Sequence, residues 1–132
     1  MQLPADADRA LLLKTLRERE EMASTGVGDG VALPHVRNPV LLSVPKPIVT
    51  LAFLARPVDW EALDKKPVSV VFSLVSPCVR SHLHMLSRLV FALKDAGFRE
   101  ALARRGSPDE ILREVARVES MLLPSPAFPV LE

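Results

Sequence analysis

Two stretches in the middle of the chain, PIVTLAFLA at Pro47–Ala55 and VSVVFSLV at Val68–Val75, contain no charged residue and are dense in β-branched and aromatic side chains. That composition predicts strands, and unbroken apolar runs suit a sheet covered on both faces. Directly downstream, Leu83, Leu86, Leu89, Val90 and Leu93 form one apolar stripe within Arg80–Lys94, which predicts an amphipathic helix. Strands and helices of this kind bury their apolar faces against one another, giving an α/β layer architecture. A chain of 132 residues has material for one core and fewer than six strands. The expectation is therefore a single domain over residues 1–120, with a mixed sheet of about four to five strands.

The other segments fit around that centre. Ala10, Leu12, Leu13 and Leu16 recur at helical spacing within Ala5–Ala23, with Asp6 or Asp8 as cap. Ser24–Gly30 holds three of the five glycines within five residues and reads as a tight loop. Val31–Leu33 predicts a short strand ended by Pro34, and Val40–Val44 resumes extended structure. Between the two long strands, RPVDWEALDKKP allows one helical turn and a reversal. Phe98–Arg105 predicts a short helix stopped by Gly106. Ser107, Pro108, Asp109 and Glu110 supply an N-cap, an N1 proline and first-turn acids for a helix over Ile111–Glu119. Residues 121–132 carry three prolines in six positions and read as an extended tail.

Charge excludes some functions. Lys plus Arg number 17 against 16 for Asp plus Glu, evenly spread between the halves, so binding nucleic acid by phosphate neutralisation has no support. The longest uncharged run, Pro67–Val79, is 13 residues, short of the roughly 20 that span a bilayer. One cysteine, Cys78, and the lack of a leader pattern point to a reducing, cytoplasmic setting.

Candidate chemistry centres on His35, which follows a glycine loop and a proline at a strand end. A neutral imidazole is a competent nucleophile near pH 7, and phosphoryl transfer to it needs in-line positioning and compensation of oxygen charge. Such compensation could come from the amides of Gly26, Gly28 and Gly30, the hydroxyls of Ser24 and Thr25, and the guanidinium of Arg19. The glycines read equally well as turn residues, and His35 as a strand-end hydrogen-bonder. His82 lies in the first helical turn, where the helix dipole disfavours a proton on imidazole. Capping its own helix, or pairing with a carboxylate, is its plainer role. GVGDG lacks the lysine of a P-loop, which argues against a nucleotide site. Cys78 and His82 lack two further ligands for zinc, so no metal site is expected.

Three blocks carry a family resemblance: REEMASTGVGDGVALPH at Arg19–His35, PVDWEALDKKPVSVVFSLVSP at Pro57–Pro77, and SHLHMLSRLVFAL at Ser81–Leu93. In this order they resemble the type-2 EIIA domains of the bacterial sugar phosphotransferase system, over roughly residues 7–119. The HLHxLS form of the last block is most similar to the nitrogen-regulatory branch, although fructose and mannitol EIIA domains share much of it. The resemblance implies a mixed sheet with helices on both faces and a histidine that accepts phosphate from an HPr-like carrier, with no cofactor. His35 matches the phosphorylated histidine, His82 a second histidine beside the phosphate, Arg19 an arginine lining the site, and Thr25 a loop threonine. His84 matches a position without a catalytic role.

Two departures stand out. Val36 replaces the glycine that usually follows the histidine, and about thirty to forty N-terminal family residues have no counterpart before Met1. A partner copy in a homo-oligomer, the proline-rich tail or a missing upstream domain could cover the sheet surface so left. PHVRNP also resembles EIIA-like domains behind helix-turn-helix modules. Three readings follow: a regulatory phosphocarrier, a non-phosphorylated binding module, and a sugar-specific EIIA subunit of a fructose or mannitol transporter.

Overall fold

The computed structural model describes residues 8–35 and 46–122. The expected extended segment at Val40–Val44, the Val36 departure and the proline-rich tail from residue 123 onward lie outside them. By its internal contacts the chain divides within a helix into two units, Met1–Leu83 and His84–Glu132.

The first unit carries α1 (Arg9–Met22), β1 (Gly26–Gly28), β2 (Val31–Ala32), β3 (Ile48–Val58) and β4 (Val68–Val75), and the start of α2 (Val79–Leu93). The sheet is mixed, in the order β1-β2-β4-β3, with β2 parallel to β4 and the other pairs antiparallel. The α/β reading and the strand number hold. β4 has the apolar run expected of a doubly covered strand, and Phe72, Leu74 and Val75 are buried. β3 has a similar sequence but alternates between half-buried and exposed residues, so its apolar run does not mark two covered faces. Asp8 caps α1 through the amide of Leu11, and Leu12 packs on Val75 with Leu11, Leu16 and Ile48 around them.

Three local expectations change. The glycine-rich segment is not all loop, because Gly26–Gly28 forms β1 of a hairpin with β2. Asp29 and Gly30, at φ 55° and 80°, are the paired left-handed residues that a two-residue hairpin turn needs. The segment after β3 forms no helical turn. β3 itself continues through Pro57 to Val58 across a register shift that accommodates the missing proline donor.

The second unit holds the rest of α2, α3 (Ala96–Ala103) and α4 (Pro108–Ser120). Asp95 caps α3 through the Phe98 amide at 2.8 Å, and Ser107 caps α4 through Glu110 with Pro108 in the first turn, as expected. α3 ends in a Schellman turn: Arg105 at φ 55° is the left-handed residue, and the Gly106 amide donates to Ala101 O at 3.0 Å. Phe98, Ala101, Leu102, Ile111 and Val118 are buried, and Arg117 of α4 pairs with Asp95 and Glu114.

Candidate functional site

Every member of the site lies in the first unit. Pro34 cannot donate to the ladder, yet its carbonyl accepts from Leu74 N at 3.1 Å, and His35 bridges to Leu74 in parallel register. His35 is thus held just past the end of β2, half-buried, beside the buried C-terminal end of β4. Its Nδ1 lies 2.7 Å from Leu33 O. A carbonyl only accepts, so Nδ1 carries a proton, and in the neutral ring the lone pair is on Nε2.

The His82 ring, in the first turn of α2, stands 5.1 Å from the His35 ring centre at a tilt of 40°. It is 6% exposed and its Nδ1 is buried without a hydrogen-bond partner. Burial pushes its pKa below the ordinary histidine value, and the neighbouring His35 pushes it further the same way. His82 is therefore a neutral imidazole. A proton on the buried, unpartnered Nδ1 would leave a donor stranded, so the ring's N–H belongs on Nε2. Among the described residues, neither a carboxylate nor a helix-cap contact is made by this side chain. The two histidines give a nucleophilic nitrogen and a neutral donor side by side.

Arg19, in the last turn of α1, donates from Nη1 to Ala23 O at 2.8 Å. Leu33 N donates to Thr25 O at 3.0 Å, setting Thr25 opposite Leu33. The guanidinium is anchored on the extended segment that leads from α1 into β1.

The remaining expected phosphate ligands are used otherwise. Ser24 Oγ donates to Trp60 O at 2.6 Å and accepts from Gly26 N at 3.0 Å. The Thr25 hydroxyl, in a residue 4% exposed, donates to Glu20 Oε2 at 2.6 Å and accepts from Trp60 Nε1 at 3.1 Å. Its amide donates to Glu20 Oε1 at 2.8 Å. Gly28 and Gly30 sit at the hairpin tip, at the opposite end of β2 from His35. The loop does hold an anion there, the chain's own Asp64, whose Oδ2 accepts from Asp29 N at 2.9 Å. That amide, followed by the Lys66 amide on Oδ1, lowers the Asp64 pKa. The hydroxyls of Ser24 and Thr25 are thus engaged in internal hydrogen bonds, and Gly28 and Gly30 lie at the far end of β2 from His35.

Sequence reading missed Glu20, Trp60 and Asp64. Glu20 was hidden in a charge alternation that reads as a solvated helix face, and Asp64 lies 35 residues from the amide it binds. A lone tryptophan within a polar segment was the one available signal for Trp60. Cys78 is exposed, and the Ser81 hydroxyl, then the Ser81 amide, holds its thiol below the usual range. Among the described residues no helix is long and apolar enough to cross a membrane.

The family model "Phosphoenolpyruvate-dependent sugar phosphotransferase system, EIIA 2" matches residues 3–118. The chain belongs to this family. The fructose-specific EIIA component of Haloferax volcanii is 35% identical over 113 residues, 84% of this chain and 71% of that protein. The nitrogen regulatory protein of Pseudomonas aeruginosa is 32% identical over 115 residues, 86% of this chain and 73% of its own. The crystal structure of nitrogen regulatory protein IIA-Ntr from Neisseria meningitidis is similar with a TM-score of 0.70 and 33% identity. That match covers 80% of this chain and 72% of the other. The fold and the three sequence blocks thus belong to an EIIA domain related to nitrogen-regulatory and fructose-specific proteins alike.

Proposed function

We propose that this EIIA domain is a cytoplasmic phosphocarrier whose His35 accepts a phosphoryl group from an HPr-type phosphohistidine protein and which signals by contact with a regulated protein. The observation that carries the reading is the Nδ1 contact to Leu33 O, which leaves Nε2 as the attacking nitrogen. In the transfer, the Nε2 lone pair forms the new N–P bond while the donor's N–P bond breaks and its electron pair returns to the donor nitrogen. The Nδ1 proton stays on the ring, against Leu33 O, and the positive ring is offset by the phosphoryl oxygens. His82 Nε2–H and the Arg19 guanidinium are the donors assigned to those oxygens. About two added negative charges then change which proteins dock at this end of the sheet.

Incubation with phosphoenolpyruvate, enzyme I and an HPr-type carrier should label the wild type and not His35→Ala. Equal label on both, or none on wild type where a nitrogen regulatory relative takes it, contradicts the reading. The similarity to a fructose-specific component favours a second reading, delivery of the phosphate to a sugar-transport EIIB domain. Loss of label from the phosphorylated chain to an added fructose EIIB domain, but not to buffer, would support it.

A further inference from the structure

We propose that Glu20, Thr25 and Trp60 are positioning residues for phosphoryl transfer at His35, an inference that rests on the phosphocarrier reading above. Neighbouring residues at the end of α1 grip one short extended segment at two points. Arg19 holds Ala23 O, and the Glu20 carboxylate takes both the amide and the hydroxyl of Thr25 at 2.8 and 2.6 Å. Thr25 lies opposite Leu33, one step beyond the Gly26–Ala32 pair of the hairpin. Thr25 O fixes Leu33 by accepting its amide at 3.0 Å, and Leu33 O in turn takes Nδ1–H of His35 at 2.7 Å. A displacement at Thr25 is therefore passed to the carbonyl that selects the His35 tautomer, and to the extended segment on which the Arg19 guanidinium is anchored.

Trp60 closes the arrangement from the other side. Its Nε1–H donates to the Thr25 hydroxyl, and its carbonyl accepts from Ser24 Oγ. With its proton committed to Glu20 and a lone pair to Trp60, the Thr25 hydroxyl is spent on its own scaffold and not on phosphate. Groups that orient the atoms touching substrate typically matter ten- to a hundred-fold to function, by analogy with the shell outside a metal site. Rate should therefore suffer here while affinity for the donor protein does not.

The test is phosphorylation of full-length protein by two donors, phosphoramidate and a phosphorylated HPr-type carrier, in wild type, Thr25→Val, Thr25→Ser, Glu20→Gln and Trp60→Phe. Valine keeps the shape of Thr25 and removes the hydroxyl, leaving Trp60 Nε1–H and one Glu20 oxygen without it. We expect Thr25→Val and Glu20→Gln to lower the maximal rate about tenfold or more with both donors. The half-saturating carrier concentration should stay within twofold, and Thr25→Ser should recover the rate to within about threefold. Histidine ¹⁵N shifts should show His35 as the Nδ1–H tautomer in wild type and as a mixture in Thr25→Val. Should Thr25→Val not fold, Trp60→Phe, which removes the N–H with part of the indole ring but keeps the Thr25 hydroxyl and the Trp60 carbonyl, carries the same rate and tautomer tests.

Folded variants with wild-type rates and an unchanged tautomer overturn the positioning role while wild-type labelling still upholds the carrier reading. Rate losses that merely track the unfolded fraction overturn it in the same way. Wild type that takes phosphate from neither donor overturns both.

Discussion

Adding one methyl group at Gly26 should loosen β1 from the segment that runs beside it. A Cβ built there lies 2.7 Å from Ala62 Cβ, 3.2 Å from Ser24 Oγ and 3.3 Å from Ala62 Cα. Carbon atoms pack best at about 3.5–4.0 Å, so either β1 or the Ala62 backbone must retreat by roughly 1 Å. Gly26 is not in the left-handed region, so the penalty is steric alone. Overpacking of a buried contact costs about 1–3 kcal/mol, and alanine in a strand returns about 0.5–1 kcal/mol of backbone entropy, leaving a net loss of about 1–2 kcal/mol. Ala62→Gly removes the closest atom. Against that background Gly26→Ala should cost about 0.5 kcal/mol or less, a coupling of about 1 kcal/mol between the two positions. Urea unfolding followed by the emission of Trp60, the chain's one tryptophan, reads the unit concerned directly. A Gly26→Ala midpoint indistinguishable from wild type, or an unchanged cost in the Ala62→Gly background, would refute the packing argument.

Other outcomes follow from single residues. Because His82 is held neutral below the ordinary histidine pKa of about 6.5, the unfolded chain binds its proton first as pH falls. The stability this group permits is complete above that value and declines as pH drops toward its lower folded value. In His82→Gln that part of the slope between pH 7.5 and 5.5 should vanish, and equal slopes in urea titrations would contradict the burial argument. Ser107→Ala removes the α4 cap on the Glu110 amide and should cost about 1 kcal/mol in denaturation followed by circular dichroism. Lys65 sits at φ 61°, and Lys65→Gly should raise stability by up to about 1 kcal/mol, with a lowered melting temperature as the contrary result.

Elements whose signal is local were legible in the sequence. Periodicity marked α2, composition marked β4, and the cap, proline and acids at 107–110 marked the start of α4. His35 stood out beside the glycine segment and Pro34, but the expectation that Pro34 ends the ladder changes: the pairing with β4 runs on through His35 because the Pro34 carbonyl still accepts from Leu74 N. What was not legible depends on partners far along the chain. Glycines are poor strand formers, yet Gly26–Gly28 pairs with β2 and approaches Ala62 where only a residue without Cβ fits. The partners of the Thr25 hydroxyl, a helix-end carboxylate and a tryptophan 35 residues away, leave no local signal. The same holds for Asp64, 35 residues from the Asp29 amide it accepts from. β3 shows the converse limit: its apolar run is as pure as that of β4, but half of its residues face outward.

Which imidazole nitrogen of His35 takes the phosphate is the most direct test of the whole account. With histidine labelled in ¹⁵N and the protein phosphorylated, phosphorus–nitrogen couplings identify the bonded nitrogen. The contact between Nδ1 and Leu33 O predicts phosphate on Nε2 of His35, with the Nδ1 proton retained. Phosphate on Nδ1, or on His82 in place of His35, would contradict it.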